Sequence, residues 1–228
     1  MRKILLIFAL LLVAPPLANA RPVKFGFFYT TGALKEFGNQ GGIEIRVHDA
    51  VWRTAKEFDI AISISFIKPL PFLPPLITPE SKDIFPASEK KSGIESYPFL
   101  SMLDAQLVNI QNADYIFTVT SEVLWYQDLT EENTLRFKQL DGLTRNHRNP
   151  GKHAILKDFK NRGREYFTEI LWHEWGHMLG LKHWDKQTCF TIHFLMCNHA
   201  PLTQPLIIEK SFRDAVRATA QMFEKQRD

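Results

Sequence analysis

Cysteine and net charge are both scarce in this sequence of 228 residues. Two cysteines cannot staple a chain of this length, so a disulfide-dependent miniprotein is excluded. The 28 basic residues nearly balance the 25 acidic ones, which argues against a nucleic-acid binder held by charge alone. Eleven glycines and 13 prolines without a period exclude a collagen-like chain, and 45% apolar residues exclude a disordered one.

A long apolar run occurs at one place, near the amino terminus. Residues 4–13 are all apolar, follow Arg2 and Lys3, and precede the small residues Ala18 and Ala20. This order is typical of a secretory signal peptide that is cleaved after Ala20. Ten helical residues cover about 15 Å, half of the apolar core of a bilayer, so a membrane anchor is the weaker interpretation. We expect removal of residues 1–20, a secreted or periplasmic protein, and no membrane span in the remaining chain.

Hydrophobic patterns in the remaining chain predict an α+β fold. Residues 23–30 and 60–67 are expected strands, and a helical pattern over residues 42–58 separates them. A strand, a helix and a strand so close together form a crossover unit, which favours a parallel pair. Further strands are expected over residues 114–119 and 153–159, and further helices over residues 97–112, 166–179 and 206–227.

Two segments do not fit a regular pattern. Seven prolines between residues 68 and 98 remove backbone donors, which predicts a long surface insertion without a central strand. Residues 127–150 are polar and charged and carry the turn signals Asp141-Gly142 and Asn149-Pro150, which predicts loops. We therefore expect a single domain over residues 21–228 with a proline-rich insertion near 68–98.

Three histidines and a glutamate follow one another at metal-binding spacing, in the run His-Glu-Trp-Gly-His-Met-Leu-Gly-Leu-Lys-His. At 100° per residue, His173 and His177 leave the same side of a helix one turn apart and can share one ion. Glu174 projects in a neighbouring direction, where it can hold a water instead of the ion. Gly180 permits a sharp turn out of the helix, and that turn can bring His183 back as the third ligand.

Three neutral nitrogen ligands with one open position are typical of a catalytic zinc, since a closed structural site needs a fourth protein ligand. This eleven-residue frame resembles that of the metzincin zinc peptidases, which also carry a methionine in a tight turn beneath the metal. Met196, thirteen residues after His183, occupies the corresponding place. The resemblance implies a metzincin-like catalytic domain, with a mixed twisted sheet, an active-site helix and a C-terminal helix.

The same resemblance implies a secreted zinc-dependent endopeptidase with one catalytic zinc. His173, His177 and His183 would bind the ion, and Glu174 would act as general base toward an activated water. The substrate would be a peptide or protein that enters as an extended strand against an exposed sheet edge. Residues 153–158 are the candidate edge.

Two other functions fit these residues. One is a non-catalytic zinc-dependent interaction protein that keeps the motif for folding, and the other is a zinc amidase that acts on cell-wall peptides. Glu174 argues against the interaction protein, because a purely structural site has no need of a base.

The two cysteines, Cys189 and Cys197, lie on either side of the segment that leads to Met196. In an oxidising compartment they can close a nine-residue loop as a disulfide, and the alternative is two free thiols.

Three tryptophans lie in or next to the motif, at positions 172, 175 and 184. We expect them to pack the active-site helix, and Trp175 or Trp184 is alternatively a candidate to line a substrate pocket. Trp184 follows the third histidine, at a position that differs among metzincin families.

Overall fold

The computed structural model describes residues 21–80, 83–84, 91–107, 110, 112–129, 135–144, 151–184, 195–197 and 206–225. In chain order the described elements are β1 (Val23–Tyr29), α1 (Thr31–Phe37), α2 (Gln40–Phe58), β2 (Ile62–Pro69), β3 (Leu76–Ile77), β4 (Gly93–Glu95), α3 (Ser96–Leu107), β5 (Tyr115–Thr120), β6 (Val123–Leu129), β7 (Leu135–Leu140), β8 (Gly142–Thr144), β9 (His153–Lys157), α4 (Arg164–Met178) and α5 (Lys210–Lys225).

A five-stranded mixed sheet with the strand order β2-β1-β5-β9-β8 carries the fold. Strands β2, β1, β5 and β9 run parallel to one another. Strand β8 pairs with β9 at the edge and runs antiparallel to it. The parallel pairing of β1 with β2 through α2 confirms the predicted crossover unit. The predicted α+β class with a mixed sheet is also confirmed.

Both faces of this sheet are covered, which explains the aromatic and apolar content of its central strands. Helices α2, α4 and α5 pack on one face of the sheet. There the ring of Phe25 meets those of Phe27, Phe117 and Trp175 edge-on, and Phe27 stacks on Phe117. Helix α3 packs on the other face, where Phe99 and Leu103 contact the side chain of Ile155 and its neighbours. Helix α4, which carries His173 and His177, therefore rests on a buried aromatic layer.

The prediction of loops over residues 127–150 is wrong in the described part of that segment. Strands β6 and β7 form an antiparallel pair there, and β8 follows at once. The polar residues lie on a solvated surface of the pair, where the ammonium group of Lys138 on β7 bonds the carboxylate of Asp128 on β6. Charge that signals a loop in a sequence here stabilises two paired strands.

The expectation of a proline-rich insertion without a central strand is also wrong. Within residues 68–98, β4 pairs with both β3 and β6 and is an internal strand of a second sheet, with the order β3-β4-β6-β7. Gly93–Glu95 contains no proline, so every residue of β4 keeps its backbone donor. Ile84 in the same insertion is only 4% exposed, so the insertion contributes to the core.

The candidate substrate edge, residues 153–158, is wrong. Strand β9 pairs with β5 on one side and with β8 on the other, and all five of its residues are buried. Within the described chain, β8 is the outermost strand at this end of the sheet. The error arose because β8 lies in the segment whose composition predicts loops.

The predicted signal peptide, residues 1–20, lies outside the described residues. Helix α1 was not predicted, while α4 and α5 correspond to the expected active-site and closing helices. None of the helices described is both long and apolar enough to cross a membrane.

Arg46 on α2 fixes the connection between β9 and α4. Its guanidinium is almost buried, lies 3.3 Å from the carboxylate of Asp158, and donates to the carbonyls of Phe159, Lys160 and Arg162. Burial raises the pKa of Asp158 to about 6, and the charge of Arg46 opposes that rise. A single side chain thus orders the turn from which α4 starts.

We predict that Arg46→Ala lowers the free energy of unfolding by about 3–5 kcal/mol, because it leaves a buried carboxylate and three carbonyls without their partner. The matched control is Arg53→Ala on the same helix, whose partly exposed guanidinium pairs with Asp49 and Glu165. That change should cost less than about 1 kcal/mol. Urea unfolding of both variants measures the difference, and equal losses would contradict this role for Arg46.

Candidate metal centre

Helix α4 presents two histidines and a glutamate from its last two turns. The helix contains no proline, and its inner side is buried against the sheet and α2 through Phe167, Leu171, Trp175 and Met178. That packing fixes the rotation of the helix. His173 and His177 consequently lie on one side, one turn apart, as their spacing predicts.

The chain leaves α4 through a tight left-handed turn. Gly180 has a φ of 87°, a value that glycine adopts without the steric cost of a Cβ. The amide of Leu181 donates to the carbonyl of Gly176, and the amide of Gly180 donates to the carbonyl of His177. This pattern closes the helix and turns the chain back toward the two histidines.

The three histidines of the motif converge on one point. The Nε2 atom of His183 lies 3.0 Å from Nε2 of His173 and 2.8 Å from Nε2 of His177. Together, one ring nitrogen from each residue forms a group within 4.8 Å that can hold a metal ion. The structure therefore brings together the three predicted ligands.

Backbone carbonyls fix the orientation of two of these rings. Nδ1 of His173 lies 2.7 Å from the carbonyl oxygen of Leu195, and Nδ1 of His177 lies 2.9 Å from that of Leu181. A carbonyl oxygen can only accept, so each Nδ1 carries the proton and each Nε2 keeps its lone pair. This arrangement is typical of metal-ligating histidines, whose second nitrogen is held by an outer partner.

Burial keeps His173 in the form that binds metals. Burial, helped by the neighbouring His177 and His183, lowers the pKa of His173 to about 3. The ring is therefore neutral at physiological pH. Neutral imidazole is the form that coordinates a metal ion, so the donor set fits one.

Glu174 lies beside the histidines in an apolar setting. Its side chain is buried, and among the residues described here its Oε2 atom has no hydrogen-bond partner. Burial raises the pKa of this carboxyl to about 8. Strand β8 passes close to this carboxyl. A Cβ added to Gly142 would lie 2.4 Å from Oε1 of Glu174.

Met196 lies in a turn beneath α4. It is 2% exposed, and a Cβ added to Gly176 would lie 2.6 Å from its sulfur and 2.8 Å from the ring of Phe212. The sulfur thus packs on the helix between the two histidine positions, and a side chain at residue 176 would have to displace Met196 or Phe212. Leu195, just before it, supplies the carbonyl that holds His173.

The predictions made for the cysteines and tryptophans have different outcomes. Cys197 is disulfide-bonded, and its predicted partner Cys189 lies outside the described residues. Trp175 is fully buried against Phe25 and Tyr115, so its candidate role in lining a pocket is wrong. Trp184 is 44% exposed beside His183 and keeps that candidate role.

Sequence reasoning missed three contributors to this site. The carbonyls of Leu181 and Leu195 act through the backbone and leave no signal in side-chain identity. Gly142 was assigned to a turn, although its lack of a side chain is what lets β8 approach Glu174.

No protein-family model matches this chain, and no curated protein does.

Loss of an outer hydrogen-bond partner weakens metal affinity by roughly 10- to 100-fold. We predict that His177→Ala weakens zinc affinity by more than that. The reason is that a direct nitrogen donor is removed. His48→Ala is the control, because His48 is exposed on α2. Competition with a chelator of known affinity measures both. Unchanged zinc affinity in His177→Ala would show that the cluster does not bind the ion.

Proposed function

We propose that this protein is a secreted zinc-dependent endopeptidase of metzincin type. One observation supports it above all: the three imidazoles of His173, His177 and His183 converge next to the buried carboxyl of Glu174. One ring nitrogen from each of His173, His177 and His183 lies within 4.8 Å of the other two, so these residues would hold the ion. Zinc held there would supply a water of lowered pKa and would polarise a carbonyl group.

Glu174 is the general base in this proposal. It accepts a proton from the attacking water and delivers that proton to the leaving amine. Burial alone raises the pKa of Glu174 to about 8, and the positive charge of a bound zinc ion would lower it again, so the ionised carboxylate that accepts the proton would form when zinc is held. A zinc site needed only for folding gains nothing from a carboxyl buried at such a cost, which favours an enzyme over an interaction protein.

Substrate binds, in this proposal, along the outer edge of β8. An extended peptide can pair with the free side of an edge strand and extend the sheet by one strand. Gly142 of β8 lies against Glu174, so a peptide on that edge passes beside the base. This assignment replaces β9 as the substrate edge.

Two features support the proposal that the protein is secreted. Residues 1–20 have the order of a signal peptide, and Cys197 is disulfide-bonded. Disulfides persist in oxidising compartments and are rare in reducing ones.

We predict that Glu174→Gln binds zinc as the wild type does but cleaves a mixed peptide library at least about 100-fold more slowly, because glutamine cannot take up the proton. Glu165→Gln in the first turn of α4 is the control, since that side chain is 65% exposed. Zinc content and cleavage products are measured on the same preparations.

Retained cleavage in Glu174→Gln would refute the assignment of the base. Zinc binding without cleavage in either protein would favour the interaction protein, and cleavage of cell-wall peptides alone would favour the amidase.

We further predict that Gly142→Ala slows cleavage by about 10- to 100-fold without changing zinc affinity, because the added Cβ displaces the carboxylate of Glu174. Gly163→Ala is the control, since Gly163 has a φ of −59° that alanine also adopts. Equal activity of both variants would contradict a close approach of β8 to the base.

A further inference from the structure

Glu209 is a buried carboxylate outside the histidine cluster. It lies just before α5 and is 6% exposed. Its Oε1 atom accepts two hydrogen bonds, from the backbone amide of Met196 at 3.0 Å and from the indole nitrogen of Trp184 at 2.8 Å. A single oxygen thus joins two segments that are twelve positions apart in sequence.

Both segments reach the metal ligands directly. Trp184 follows His183, the third ligand, and its backbone amide donates to the carbonyl of Met196. On the other segment, Leu195 precedes Met196 and holds the ring of His173 through its carbonyl oxygen. Glu209 therefore lies where the segment that carries His183 meets the turn that orients the ring of His173.

The burial of this carboxylate has a cost that packing does not explain. Within the described part of the chain, its Oε2 atom has no hydrogen-bond partner. An unsatisfied buried oxygen on an acid is unfavourable, and an apolar residue would fill the space without that penalty. The two bonds made by Oε1 are the compensation the geometry offers.

We propose that Glu209 is a positioning residue of the metal centre. Its carboxylate holds the His183–Trp184 segment and the Leu195–Met196 turn in one register, and the three Nε2 atoms converge because that register is kept. This inference rests on the proposed function, since it assumes that the cluster binds zinc. Outer partners of this kind are worth about 10- to 100-fold in metal affinity.

The test measures zinc affinity by chelator competition in Glu209→Ala, Glu209→Gln and Trp184→Phe. We expect a 10- to 100-fold weaker affinity, roughly, in Glu209→Ala and a smaller loss in Glu209→Gln, whose amide oxygen can still accept. Trp184→Phe keeps an aromatic ring and removes one donor, so it decides the question if Glu209→Ala does not fold. Its expected loss is also smaller than that of Glu209→Ala.

The control is Glu122→Ala. Glu122 accepts hydrogen bonds from the hydroxyl of Thr30 and the amide of Gly32, beyond the carboxyl end of β5. The other end of β5 faces α4, where the ring of Tyr115 contacts that of Trp175. The control thus removes comparable bonds away from the histidines and should leave zinc affinity within about twofold of the wild type.

A second readout needs no zinc. Hydrogen exchange at the backbone amides of Met196 and Trp184 in the metal-free protein should speed up in Glu209→Ala and not in Glu122→Ala. Unchanged exchange and unchanged zinc affinity, or equal losses in the control, would overturn the positioning role. A wild type that binds no zinc would instead refute the proposed function, while the exchange rates would still decide whether Glu209 joins the two segments.

Discussion

Hydrogen bonds from two histidine rings to backbone carbonyls are the constraint on which the rest of the site depends. The carbonyls of Leu181 and Leu195 each hold an Nδ1–H, and both Nε2 lone pairs must then face inward. Neither carbonyl is available unless the chain makes a specific turn. Leu181 follows the left-handed turn at Gly180, and Leu195 lies in the turn beneath the helix. Backbone geometry, rather than the histidines alone, therefore sets the site.

Buried polar groups surround this constraint, and each is placed where two pieces of chain must be joined. Arg46 ties α2 to the turn before α4, and Glu209 ties the segment after His183 to the turn at Met196. Burying such groups is unfavourable unless their hydrogen-bond partners are well placed. They therefore favour the one conformation in which the joined segments supply those partners. Glu174 is buried as well, and like Glu209 it has one carboxyl oxygen without a hydrogen-bond partner among the described residues.

Much of the sheet was predictable because its central strands are buried on both faces and read as apolar runs in the sequence. The pairing of β1 with β2 followed from the helix between them. Strands β6 and β7 were not predictable in the same way. Their polar side chains, such as Asp128 and Lys138, satisfy one another across the pair, so composition alone resembles a loop. The substrate edge was misplaced for that reason, because β8 follows β7.

The sequence by itself determined the ligand set, since helical periodicity places His173 and His177 on one side and glycine permits the turn toward His183. The resemblance of the motif to that of the metzincins also indicated Met196. Only the tertiary structure decided which groups surround them: Gly142 against Glu174, and Glu209 between Trp184 and Met196. The physical reason is the sequence separation over which each effect acts. Periodicity and turn preferences act over a few residues, whereas these contacts join positions whose separation is set by the packing of the whole sheet and its helices.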